Sequence, residues 1–181
     1  MLIDRDQSLV LLIDIQQRLA PAIADNREIE NAAAWVLQVA LQLDVPVLAT
    51  EQYPGGLGHT VPVLAELLPD DAVLEKIHFS AYKETAIRQR LAELERKQII
   101  VLGTETHVCV LQSVLDMLAA GFQVYVVEDA VGSRDPLYKQ QGLQRMQQAG
   151  AVIINREMLA FEWLECAGTE TFKRIHQGWI R

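Results

Sequence analysis

Short continuous apolar runs and amphipathic segments take turns along this chain, and few architectures accept that rhythm. The first run, Ser8-Leu9-Val10-Leu11-Leu12-Ile13-Asp14, has no polar alternation and ends in a carboxylate. That pattern belongs to a strand covered on both faces. Asp25 and Glu28 then have the spacing of a capping box, and Ile29, Ala33, Val36, Ala40 and Leu43 recur at helical spacing behind them. Further strands are expected at residues 45–50, 72–76, 99–102, 122–127 and 151–154. Between them, Thr60 is expected to cap a short helix through residue 68, with Pro62 in its first turn. Ile87, Leu91 and Leu94 mark another helix, residues 108–120 form one that stops at Gly121, and Asp135-Pro136 starts one that ends near Gly150. The glycines and proline of residues 53–58 predict a loop. Strand–helix alternation of this kind implies an α/β fold. We expect a three-layer α/β/α, Rossmann-like domain over residues 1–181, with a six-stranded, mostly parallel sheet in the order 3-2-1-4-5-6.

Length and charge narrow the function. A chain of 181 residues, half of them hydrophobic, builds one substantial core. The net charge of −8 and the lack of a long basic run argue against nucleic acid or an anionic membrane surface as partner. No apolar stretch approaches a bilayer span, and residues 1–7 lack the pattern of a secretory signal. A reducing cytoplasm is the expected setting, so a Cys109–Cys166 disulfide is the weaker reading of the two cysteines.

Cys109 is the residue on which chemistry is expected to turn. It follows the fourth apolar run, in Gly103-Thr104-Glu105-Thr106-His107-Val108-Cys109-Val110, and falls in the first turn of the predicted helix. Unpaired N–H groups and the positive end of the helix dipole there favour thiolate over thiol. Asp14 and Lys76 end the first and third runs. The C-terminal ends of parallel strands are where ligands bind in open α/β sheets. In the expected order, Asp14 and Cys109 lie on neighbouring strands, roughly 4.8 Å apart, and Lys76 about two spacings from Asp14, a gap its long stem can cross. A carboxylate to accept the thiol proton, an ammonium to steady the thiolate and a sulfur nucleophile make a coherent set. A dinucleotide-binding reading fails, because Ile13-Asp14-Ile15-Gln16-Gln17 has no glycine-rich phosphate turn.

Four motifs together resemble those of the isochorismatase-like cysteine hydrolases, which include nicotinamidases and N-carbamoylsarcosine amidases. They are Leu11-Leu12-Ile13-Asp14-Ile15-Gln16-Gln17, Lys76-Ile77-His78-Phe79-Ser80, Gly103 through Val110, and Glu128-Asp129-Ala130-Val131-Gly132-Ser133-Arg134. Residues 51–58 are similar to the branch named isochorismatase domain-containing. The resemblance implies that Asp14, Lys76 and Cys109 are the catalytic triad and that a non-proline cis peptide falls at Thr104–Glu105. It also implies an oxyanion hole made by the N–H groups of Glu105 and Cys109. Nicotinamidases carry an Asp-x-His…His metal site after the second strand, where this chain has Glu51-Gln52-Tyr53 and, nearby, His59. One histidine and one carboxylate do not hold a catalytic divalent ion, so no metal or other cofactor is expected. Isochorismatases proper cleave a vinyl ether without a cysteine nucleophile, so Cys109 argues against isochorismate. Glu105 is large and charged where many members have a small residue, which alters the pocket's shape and charge.

The expectation is a metal-independent cysteine hydrolase cleaving a small amide-type C–N bond through a thioester. The alternative is a non-catalytic oligomeric or redox-sensing protein using Cys109 as a reactive thiol. Tyr53, Phe79 and His107 are candidate pocket residues, with lid, wall and second-base roles weighed against surface turn, loop anchor and loop contact. Arg134 is expected to pair with Glu128 or Asp129, and Cys166 to be buried and inert. The aromatic tail (Phe161, Trp163, Phe172, Trp179) exceeds what a terminal segment needs, so a homo-oligomer interface is expected.

Overall fold

In the computed structural model, which describes residues 2–180, the strands are β1 (Ser8–Ile13), β2 (Val47–Gln52), β3 (Val73–Lys76), β4 (Gln98–Thr104), β5 (Gln123–Gly132) and β6 (Val152–Ile154). They form one sheet in the expected order, β3-β2-β1-β4-β5-β6. Each neighbouring pair is parallel, so the sheet is parallel throughout. The helices are α1 (Asn26–Gln42), α2 (Pro54–Leu57), α3 (Pro62–Ala65), α4 (Thr85–Glu93), α5 (Leu111–Ala119), α6 (Pro136–Gln148), α7 (Arg156–Leu164) and α8 (Glu170–Ile175).

Alternation along the strands divides two cores. Val10 and Leu12 of β1 face a cluster with α1, α7 and Ile175 of α8. Leu9, Leu11 and Ile13 face the other, with Ile87 of α4, Val114 and Met117 of α5 and Met146 of α6. All six residues of β1 and all seven of β4 are buried, which is why these central strands show unbroken apolar runs. Gly121 ends α5 in the left-handed conformation (φ 91°). Its N–H donates to the Leu118 carbonyl and that of Phe122 to Met117, a Schellman closure. Asp135 caps α6 by accepting from the Leu137 N–H at 2.8 Å.

Several local expectations are corrected. Asp25 precedes α1 in a left-handed conformation and makes no side-chain cap, so the capping box does not form. Thr60 bridges to Gln16 and bonds Glu51, and Val61 takes the cap position of α3, which stops at Ala65. Residues 54–57 form the short helix α2, because Pro54 suits a first turn. β2 is displaced two residues toward the C-terminus, and β4 and β5 run further than expected. Cys166 is exposed rather than buried, since it follows α7 on a turn. The aromatic tail packs mostly on its own domain: Trp163 is buried and donates to Ser8 Oγ, and the Trp35 indole donates to the Trp179 carbonyl at 2.7 Å.

Candidate active site

The ends of β1, β3 and β4 bring Asp14, Lys76 and Cys109 into one cluster. Beyond β1 the chain turns at Asp14 with φ 50°, a left-handed conformation that Asp tolerates better than most residues. The neighbouring Gly103 makes that turn possible. A Cβ there would lie 2.0 Å from the Ile13 carbonyl oxygen, and its own φ is 127°. The Asp14 carboxyl is fully buried. The Thr50 hydroxyl donates to Oδ1 at 2.7 Å, and Lys76 Nζ lies 2.7 Å from Oδ2.

Lys76 crosses from β3 with its side chain sealed from solvent. It donates to Gln52 Oε1 at 2.6 Å and to the carbonyls of Phe79 and His78 at 3.1 and 3.3 Å. Gln52 is held in turn by Gln16, which accepts from its N–H and donates to its carbonyl. A buried ammonium is tolerable only when its donors are used, and these acceptors use them. The loop after β3 is braced by Glu84, whose Oε1 accepts from the N–H groups of Ile77 and His78 at 2.9 and 3.0 Å. Those bonds, the His78 N–H first, pull the Glu84 carboxyl down to about 2.

Cys109 does not sit in the first turn of an α-helix. Residues Thr106–Val110 form a wider π-type turn that leads into α5. The Glu105 carbonyl accepts from Val108 and Val110 at 3.0 and 3.2 Å, which wraps Cys109 back over Glu105. The Thr104–Glu105 peptide is cis. Cys109 is 6% exposed, and its thiol lies within the field of the Asp14 and Lys76 charges. Burial first, then the Asp14 charge, push it from an ordinary 9.0 up to about 12. The expected resting thiolate is therefore corrected: desolvation outweighs the end of a helix, and the sulfur keeps its proton. Burial also raises the Asp14 carboxyl above its ordinary range, against the pull of Lys76 and Thr50.

The other sequence candidates fall around this cluster. Tyr53 and Phe79 are exposed on the loops after β2 and β3. His107 turns away from a base role: its Nδ1 lies 3.0 Å from Ser133 Oγ and its Nε2 3.4 Å from Glu105 Oε2. Arg134 pairs with neither Glu128 nor Asp129. Its Nε donates to Glu105 Oε1 at 2.7 Å, and Asp129 pairs with Arg156 instead. The Glu105 charge that distinguishes this chain is thus matched by a cation from the loop after β5. Glu51 accepts from the Thr60 N–H and hydroxyl through Oε1, and its Oε2 lies 2.9 Å from His59 Nδ1. Sequence reasoning missed Thr50, Gln52 and Thr104, whose hydroxyl donates to the Asp14 carbonyl. The signal was polar residues interrupting buried strand ends.

A family model of the isochorismatase domain matches residues 8–158. Mouse isochorismatase domain-containing protein 2A is 37% identical over 174 residues, covering 95% of this chain and 82% of the mouse protein. Among solved structures, the MAR1 ribonuclease from Caenorhabditis elegans superposes with a TM-score of 0.91 at 32% identity, covering 98% of this chain and 91% of that one. The YcaC gene product of Escherichia coli, described as an octameric hydrolase of unknown specificity, gives 0.92 at 25% identity, covering 99% and 91%.

Proposed function

The chain belongs to the isochorismatase family, and on that premise we propose that it is a metal-independent cysteine hydrolase cleaving a small amide-type C–N bond through a thioester on Cys109. One observation carries the reading: a buried carboxylate–ammonium pair, 2.7 Å apart, beside a buried cysteine in the turn that follows a central strand. A thiol held up to about 12 does not attack unaided. Asp14 takes its proton as sulfur adds to the carbonyl carbon, so deprotonation and attack are coupled. The N–H groups of Glu105 and Cys109 receive the oxyanion. Lys76 offsets the charge that gathers between Asp14 and sulfur. The leaving amine takes the proton from Asp14 as the C–N bond breaks, leaving an acyl thioester. Water, deprotonated by Asp14, then frees the acid and restores the thiol.

Both oxygens of Glu51 are occupied, one by Thr60 and the other by His59, which supports chemistry without a metal. The net charge of −8 weighs against the nucleic-acid substrate that the nematode protein's description implies for that protein. A redox-sensing role is disfavoured by the burial of Cys109, which leaves the residue 6% exposed and pushes its thiol up to about 12. Two free cysteines in an acidic chain fit a reducing cytoplasm. Following the octameric neighbour, we read the assembly as a homo-oligomer.

The test is a pooled library of small amides, read by intact mass on Cys109 and by turnover. The expected outcome is an acyl adduct on Cys109, with Cys109→Ala losing about 10³-fold or more in kcat at an unchanged fold. Turnover retained by that variant refutes the mechanism.

A further inference from the structure

Resting on that reading, we propose that Arg134 is a positioning residue: by clamping the Glu105 carboxylate it holds the Glu105 N–H in the direction needed to receive the oxyanion. The peptide unit between residues 104 and 105 is fixed from both flanks. On one side the Thr104 hydroxyl donates to the Asp14 carbonyl at 2.7 Å, tying the unit to the general base. On the other the Glu105 side chain is 5% exposed, and its Oε1 accepts from Arg134 Nε at 2.7 Å. The second oxygen, Oε2, lies 3.4 Å from His107 Nε2, and His107 in turn contacts Ser133 Oγ.

A buried carboxylate without its cation would have to rotate toward water or take up a proton. Either would loosen the backbone that carries it. Arg134 lies two residues after β5, whose Gly132 is in register with Thr104 of β4. Gly132 is closely packed: a Cβ there would meet the Ile29 terminal methyl at 2.1 Å and displace it. The clamp thus comes from a loop residue only two positions beyond a strand end held in register, a short tether of the kind an oriented dipole requires.

Two alkylating reagents separate positioning from general integrity. With acrylamide, sulfur bonds to the β-carbon, the C=C electrons pass onto the amide oxygen, and the thiol proton ends on the α-carbon. Charge develops on the carbonyl oxygen, as in acyl transfer. With iodoacetamide, the S–C bond forms as C–I breaks, iodide leaves and the proton passes to Asp14, with no charge built on oxygen. Rates on Cys109 are followed by mass in a Cys166→Ala background, for Arg134→Ala, Arg134→Lys and Arg156→Ala. The expected result is a fall of about tenfold in the acrylamide-to-iodoacetamide rate ratio for Arg134→Ala, partial recovery in Arg134→Lys and no change in Arg156→Ala. An unchanged ratio in Arg134→Ala, or an equal fall in both rates, overturns the positioning role. If neither reagent modifies Cys109 in the parent protein, the nucleophile assignment itself falls, and the clamp with it.

Discussion

The two cysteines of this chain stand in opposite situations. Cys166 lies exposed on the turn between α7 and α8, while Cys109 is buried against Asp14 and Lys76 at the end of a central strand. Exposure makes a thiol reachable by any reagent. Burial beside a carboxylate shields a thiol from reagents, and in the proposed mechanism it reacts only as its proton passes to that carboxylate. Accessibility and the proposed catalytic role thus fall to different sulfurs.

The largest expected effect comes from dismantling what distinguishes Cys109. Lys76→Met leaves Asp14 buried without its cation, and Asp14→Asn leaves the ammonium without its anion. Each is expected to abolish turnover and to destabilise by about 3–5 kcal/mol. The double variant should lose less than the sum, because it strands neither charge. Urea unfolding of the four proteins measures this, and strict additivity would mean that the pair is not coupled.

Next in size is a pH effect confined to Cys109. Below pH 9 the thiol carries its proton in both folded and unfolded chains. Above it the unfolded chain releases the proton while the folded one, held up to about 12, does not. Folding stability should therefore decline between pH 9 and 12, by at most about 1.4 kcal/mol per pH unit. Cys109→Ala should flatten that decline and Cys166→Ala should not. At pH 7 iodoacetamide should label Cys166 first, and equal labelling of the two would erase the distinction.

The smallest effect concerns the loop that presents Lys76. Glu84 is pulled below its ordinary 4.5, so its bracing is complete above that value and is lost as pH falls toward about 2. Glu84→Ala should reduce kcat/KM about fivefold at neutral pH, with faster hydrogen exchange at Ile77 and His78. Unchanged exchange there would mean that the loop is held by Lys76 alone.

The sheet order was legible because strands buried on both faces stand out as apolar runs, and parallel crossovers restrict how such runs pair. The grouping of Asp14, Lys76 and Cys109 was legible for the complementary reason: two are reactive groups at the ends of such runs, and the third follows the fourth run by one turn. Their partners were not. Nothing in the spacing tells Gln52 from any other polar residue until β2 is seen to run two residues past Thr50. Arg134 had three carboxylates within reach along the chain or across it, and only the register of β5 on β4 selects Glu105. The protonation of Cys109 was misjudged because a helix terminus is visible in sequence whereas the depth of burial is not.

The wide turn over Thr106–Val110 ties Cys109 to a residue count as well as to residue identities. Each residue advances the chain by about 100° in an α-helix and by somewhat less in this wider turn. Deleting any one position between Glu105 and Cys109 would therefore swing the sulfur roughly that far around the axis, even if every surviving side chain were unchanged. Homologous chains that diverge freely in composition along this stretch should still tolerate no insertions or deletions there.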